Sequence, residues 1–250
     1  MSLRGFLKIK TFGSGSPNNP IGEPRPFYIL QNGVTVRLKG GYPAGTTGKA
    51  DGDFSGKIYT AVSQSELTQL DKLTTDWALI CTTLCTDFNK LFSSISLNPD
   101  IRHFDTSNVL NFFQLARFNT LFNPELKYLD VSKVITFTEA FRLSGFNQPI
   151  NDWNMISASN TRDMFKQTQF NQPLNNWDVS NVTNMDRMFD NAGAFEQDIS
   201  NWCVELIPSE PTNFSNNSPL DNLPSFKPNW GAACGPTNPP NKMTILTITN

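Results

Sequence analysis

Five segments of this chain repeat one another at a step of 24 or 25 residues, and that step constrains the fold more than any other feature. Leu97, Phe122, Phe146, Phe170 and Phe195 mark the same position in successive copies. The run FNQPLNNWDVSNVTNMDRMF at 170–189 is the clearest copy, followed by FNQPINDWNMISASNTRDMF at 146–165 and FNPELKYLDVSKVITFTEAF at 122–141. A unit this short cannot enclose its own apolar residues. The copies must therefore stack and share one continuous core.

Each copy carries an apolar triplet spaced three, then two. The triplets are Ile101/Phe104/Thr106, Leu126/Leu129/Val131, Ile150/Trp153/Met155, Leu174/Trp177/Val179 and Ile199/Trp202/Val204, with Trp77/Ile80/Thr82 as a degenerate first member. This is the L-x-x-L-x-L pattern of a leucine-rich repeat, and its last two members have strand period. A second apolar set follows at spacing i, i+3, i+4, as in Met185, Met188 and Phe189, which predicts a short helix. The expected fold is an α/β solenoid of leucine-rich-repeat type, one short strand and one short helix per repeat, with a small N-terminal β element. Pro99, Pro124, Pro149 and Pro173 precede the predicted strands. Asn98, Asn123, Asn147 and Asn171 form a column expected to satisfy backbone groups of the neighbouring coil.

The ends depart from the repeat. Residues 1–27 read as an N-terminal arm and linker, with a Gly/Pro/Ser/Asn-rich stretch at 13–26. Residues 28–62 read as a small β element: FYIL and VTVRL flank an Asn32-Gly33 turn, and KIYTAV follows as a further strand. Residues 63–96 hold a helical cap and the degenerate repeat. In SQSELTQLDKL at 63–73, Ser63 and Glu66 form a capping box ahead of Leu67, Leu70 and Leu73. The repeats and an irregular C-terminal cap occupy 97–230, and 231–250 is a tail whose last residues, KMTILTITN, alternate like a strand. The terminal strands could pair with each other or add to a partner's sheet edge.

Charged residues are only 17% of the chain, the net charge is −2, and no basic run exists, so a nucleic-acid footprint is missing. No apolar stretch has the length of a membrane span. The start, MSLRGFLKIKTF, lacks a signal-peptide core, so the expectation is either a mature chain without its signal or export by another route such as virion assembly followed by lysis. Cys81, Cys85, Cys203 and Cys234 contain no C-x-x-C pair, so zinc is not expected; Cys203 and Cys234 are either free buried thiols or a disulfide. The single histidine, His103, leaves no material for a triad, and no phosphate-binding loop, dinucleotide fingerprint or H-E-x-x-H motif occurs. Asp51-Gly52-Asp53 resembles part of a calcium loop whose remainder is missing and reads as a turn. No cofactor or metal is implied, and the chain reads as a non-enzyme.

Two columns should face outward from the predicted strands. One is His103, Tyr128, Asp152, Asn176 and Asn201; the other is Asp105, Asp130, Asn154 and Asp178. Serine follows two residues after each aspartate of the second column, at Ser107, Ser132 and Ser180, so those aspartates suit turn chemistry better than a catalytic site. Together the columns are the candidate binding surface, mixed and polar enough for protein or glycan.

The clearest repeat, with QNGVTV at 31–36, KIYTAVSQSELTQL at 57–70 and CTTLCTDFNKLF at 81–92, resembles the repeats of BspA-like bacterial surface proteins, also described as mycoplasma-type surface lipoprotein repeats. The resemblance covers about residues 28–230. It implies surface exposure, adhesion and protein–protein contact, and such repeats also occur in phage-encoded proteins. The expected function is a structural or recognition protein of a virion, in a phage tail, fibre or capsid decoration, contacting protein partners or a host surface. The alternatives are a secreted or cell-surface adhesin and, with no catalytic constellation behind it, a glycan-active enzyme on a repeat scaffold.

Overall fold

The structure is a computed structural model that describes residues 25–51, 55 and 57–234. The N-terminal arm up to residue 24, most of the DGD segment and the alternating tail lie outside the described residues.

Regular elements concentrate at the N-terminal side. β1 (Phe27–Ile29) and β2 (Val36–Leu38) form the expected hairpin, with Phe27 opposite Leu38. Its turn is closed by Asn32, whose Oδ1 accepts the N–H groups of Val34 and Thr35, while Gly33 takes φ +72°. β3 (Thr47–Gly48), β4 (Ala50–Asp51), β5 (Tyr59–Ser63) and β6 (Ile80–Leu84) complete two three-stranded sheets, ordered β2-β1-β4 and β3-β5-β6. β6 comes from the degenerate repeat and pairs in parallel with β5.

Between β5 and β6 lies α1 (Gln64–Gln69), whose Ser63/Glu66 capping box is formed. The helix is shorter than the leucine spacing predicts. Leu70 is already extended, and Asp71 closes a turn by accepting the N–H of Leu73 and, through its carbonyl, that of Thr75. Leu73, predicted to face the core, is 67% exposed.

The leucine-rich-repeat solenoid of strands and helices is not what forms. Between Leu84 and Pro219 the described residues contain no strand or helix, only turns and the isolated parallel bridges Asp87↔Asn111↔Thr136↔Asn160↔Asn184. The predicted strand positions fall between two turns in each copy. In one copy these are closed by Leu129 N–H to the Leu126 carbonyl and Val134 N–H to the Val131 carbonyl, so no strand pairing develops.

The segment predicted as a helix instead carries the contacts between copies. The N–H groups of Phe112, Gln114, Ala116 and Phe118 donate to the carbonyls of Thr136, Thr138, Ala140 and Arg142 at 2.8–3.0 Å. The carbonyls of Asn111, Phe113, Leu115 and Arg117 accept from Phe88, Lys90, Phe92 and Ser94 of the preceding copy. Alternate peptides thus point along the stack, carbonyl backward and N–H forward. The peptides between them close turns such as Leu115 N–H to the Phe112 carbonyl. A helix would need every peptide aligned along its own axis.

This alternation requires left-handed backbone at regular positions. Among the described residues, twelve non-glycine residues have φ between +51° and +61°, in pairs four apart: 90 and 94, 114 and 118, 139 and 143, 163 and 167, 187 and 191, 213 and 217. L-residues adopt this conformation at a cost of about 1–2 kcal/mol each, so the turns persist because packing and the inter-copy bonds over-determine them.

That packing is aromatic. From the end of one copy to the start of the next, Phe141 stacks on Phe146, Phe165 on Phe170 and Phe189 on Phe195, with centroids 4.3, 4.1 and 3.8 Å apart. At equivalent positions of successive copies, Phe165 stacks at 5.7 Å on both Phe141 and Phe189, and Trp177 stacks on Trp153 and Trp202 at 6.4 and 6.1 Å. Each indole N–H of Trp153, Trp177 and Trp202 donates to a carbonyl of the preceding copy, so burying these polar groups leaves none unsatisfied. One core cluster runs from Val62 to Leu220, and a smaller one lies under the N-terminal sheet around Phe27, Tyr59 and Ala61.

Short 3-10 helices at Pro219–Asn222 and Pro224–Phe226 close the C-terminal side, where Trp230 meets Phe214 edge-on at 4.9 Å. Cys203 and Cys234 form a disulfide that ties this segment to the last copy. Of the two states open for that pair in the sequence, the bridged one is present, whereas Cys81 and Cys85 are buried free thiols. Gly231 takes φ +70°, and a Cβ there would lie 2.9 Å from the Pro208 backbone, so the crossing needs glycine.

Candidate recognition face

The first candidate column arises from the turn that opens each copy. The turns closed by Leu129, Trp153, Trp177 and Trp202 place Tyr128, Asp152, Asn176 and Asn201 at their third positions. Asp152 and Asn201 are exposed, and Tyr128 and Asn176 are half-buried. The Asn176 N–H donates to Asn151 Oδ1, and the Asn201 side chain donates to the Asn175 carbonyl at 2.6 Å. A shallow open groove at this end is lined by Pro173, Asn175, Gln197, Asp198, Ser200 and Asn201.

In the second column Asp130, Asn154 and Asp178 each accept the N–H two residues ahead, from Ser132, Ile156 and Ser180, and Asp178 also accepts the Ser180 hydroxyl at 2.6 Å. These are turn-closing carboxylates and amides. Asp130 and Asn154 are exposed and Asp178 is half-buried, leaving the second carboxylate oxygen of each aspartate and the Asn154 amide N–H groups outside these turn-closing bonds.

His103 and Asp105 are corrections. Both were expected on the outer face, and both are buried. The N-terminal sheet lies over the copy that contains them: Val36 N–H donates to the His103 carbonyl, His103 Nε2 donates to the Ile80 carbonyl at 2.8 Å, and Arg37 clamps Asp105. Thr83 and Ser107 hydroxyls also donate to the Asp105 carboxylate. Burial pushes this carboxyl up, but the hydrogen bonds from Arg37, Ser107 and Thr83 outweigh it and hold Asp105 below the ordinary aspartate range. The candidate face therefore begins at Tyr128.

The asparagine column forms a structural ladder: Asn98, Asn123 and Asn147 each accept, through Oδ1, the backbone N–H of the next member. Asn171 accepts from Glu196 in the same way.

Sequence reasoning missed the surface along which the inter-copy hydrogen bonds run. It carries ionic links between copies. Arg187 donates two hydrogen bonds to Asp163 of the preceding copy at 2.9 and 3.0 Å, and Lys166 reaches Asp190 at 2.6 Å. Burial raises the Asp163 carboxyl, yet Arg187 together with Lys166 and Arg162 brings it below its ordinary value. The signal was present in the alignment of copies, where Asp163 and Arg187 share one column, but a helix assignment hides that such residues are neighbours.

Among the described residues no group of three His, Cys, Asp or Glu side chains is placed to hold a metal ion, and no helix is long and apolar enough to cross a membrane. A family model described as Mycoplasma protein of unknown function, DUF285, matches residues 86–202 and, in a second overlapping match, residues 142–225. Neither a curated protein nor a solved structure matches the chain.

Proposed function

The chain belongs to that family, the two matches together spanning more than half of its 250 residues, and from this premise we propose a non-enzymatic recognition protein displayed outside the cytosol. Its binding surface is the polar turn face from Tyr128 to Asn201, and its partner is a protein or glycan on another surface. The observation that carries the reading is the register of Tyr128, Asp152, Asn176 and Asn201, one per copy, over an interior filled by stacked rings. Such a column is a fixed row of donors and acceptors, suited to an extended partner. The only histidine is buried and engaged, which supports binding over acid–base chemistry. The Cys203–Cys234 disulfide favours an oxidising compartment.

Within that reading the chain is a component of an extracellular particle such as a virion, and a cell-surface adhesin is the second reading. Fractionation separates them: the protein co-purifies with particles in the first case and with the cell envelope in the second. Confinement to the cytosol would remove both. Binding to host-cell surfaces and to an array of glycans tests the face itself. The triple variant Asp152→Ala, Asn176→Ala, Asn201→Ala should lose that binding while keeping its melting temperature within a few degrees. Unchanged binding would remove this face from the function.

A further inference from the structure

Arg117, Arg142, Lys166 and Asp190 occupy one column of the hydrogen-bonded surface, each in a successive copy. The bonds of Phe118 N–H to the Arg142 carbonyl and Leu143 N–H to the Lys166 carbonyl fix that register. Backbone segments hydrogen-bonded side by side lie about 4.8 Å apart, so three cations stand in adjacent rungs, and like charges so placed repel. Lys166 is compensated by Asp190 at 2.6 Å and Asp163 at 3.8 Å. Arg117 and Arg142 are not compensated to the same degree. Both address a single oxygen, Glu139 Oε2: Arg117 Nε lies 2.9 Å from it without hydrogen-bond geometry, and Arg142 Nη1 donates to it at 2.9 Å. Glu139 Oε1 already accepts from Gln114 at 3.1 Å. The Nε atoms of both arginines are out of solvent with no hydrogen-bond partner among the described residues.

Between these two guanidinium groups lies Phe118, 43% exposed, its ring centroid 4.4 Å from Arg117 Cζ and 5.9 Å from Arg142 Cζ. Leu121, three residues on, is 56% exposed. Arginine and aromatic side chains in this combination dominate the energetics of protein interfaces.

We infer that Arg117, Phe118 and Arg142 form a docking site for an acidic peptide segment of a partner protein, with the arginines taking a carboxylate and Phe118 an apolar side chain. The local charge is two cations against one anion, which calls for one further carboxylate, and guanidinium forks bind carboxylates with matched geometry. A densely charged polyanion fits less well, because Glu139 pairs with both arginines and the apolar Phe118 ring lies against them. This site shares no residue with the polar turn face and does not depend on it.

The test is fluorescence anisotropy of the full chain with a labelled peptide of glutamates around one phenylalanine, against its lysine counterpart. The glutamate peptide should bind, weaken as salt rises, and lose about tenfold or more in affinity with Arg142→Gln and with Phe118→Ala. Arg142→Lys, which keeps the charge but not the fork, should lose less, and Arg162→Gln should change nothing. Thermal melts of each variant identify any that fail to fold, and Arg142→Lys then carries the test. Equal binding of the two peptides, or unchanged affinity in Arg142→Gln and Phe118→Ala, overturns the proposal. So does heparin binding at these residues with no binding of the glutamate peptide.

Discussion

Arg37 and Asp105 join the N-terminal sheet to the first full copy through a two-pronged ion pair, Nε to Oδ2 at 2.8 Å and Nη2 to Oδ1 at 2.9 Å. The aspartate side chain is 1% exposed and the arginine 29%. Removing one partner strands a buried charge. Arg37→Met should therefore destabilise the protein by on the order of 2–4 kcal/mol, and Asp105→Asn by a similar amount, read as a lowered denaturant midpoint at unchanged slope.

The same junction sets the response to acid. Burial holds the His103 imidazole below its ordinary value, against the Ile80 hydrogen bond and Asp100, which favour the charged form; Lys57 and Arg102 add to the lowering. The folded value lies below the unfolded one, so protonation favours unfolding. Stability is full above the ordinary value near 6.5 and falls as pH drops below it toward the folded value. Asp105, also lowered, contributes stability above the unfolded aspartate value of about 3.9 that is lost as pH falls through its folded value. Unfolding midpoints measured from pH 7 to pH 3 should show two declines, and His103→Gln should remove the upper one alone.

Phe165 stacks on Phe141, Phe170 and Phe189 and is fully buried. Phe165→Ala should cost about 3–5 kcal/mol. Phe118→Ala, at an exposed ring, should cost under about 1 kcal/mol. Paired chemical denaturation curves give the contrast.

Gln167 is exposed, and its φ is +59°. Glycine reaches this conformation without the Cβ penalty, so Gln167→Gly should stabilise the protein by up to about 1 kcal/mol, seen as a higher melting temperature. The same change at Phe165, whose backbone is not left-handed, should only destabilise.

The disulfide fastens the C-terminal segment to the last copy. Cys203→Ser should cost about 2–4 kcal/mol. Limited proteolysis should then cut first within 219–234, where the parent resists. A mild dithiol should give the parent the same cleavage pattern.

The step of the repeat, the columns of the core and the structural asparagines were legible because each depends only on which residues recur. The local backbone was not. An apolar spacing of i, i+3, i+4 fits a helical face, but successive turns such as 112–115 and 116–119 give the same spacing. Nothing in Met185, Met188 and Phe189 separates the two. The left-handed residues give little warning, because they include Glu139, Asp163 and Arg187 rather than glycine. His103 and Asp105 looked equivalent to Tyr128 and Asp130 because the columns align; only Arg37, 68 residues before Asp105, makes the first copy different. The disulfide was one of two states the sequence left open, since separation alone does not bring Cys203 and Cys234 within the 5.6 Å between their Cα atoms.

The alternating peptides of each rung turn their carbonyls toward the copy before and their N–H groups toward the copy after, and the peptides at its edges do the reverse, as in Ile135 N–H to the Leu110 carbonyl and Gly145 N–H to the Asn119 carbonyl, a pattern that recurs from copy to copy. The interior copies therefore meet through matching backbone rows. Losing or gaining one whole 24- or 25-residue unit rejoins complementary rows, whereas a partial unit opposes mismatched peptides. The chain is thus open to length change by recombination between its own copies, in whole units only, and the span of its outer face can vary without a new fold.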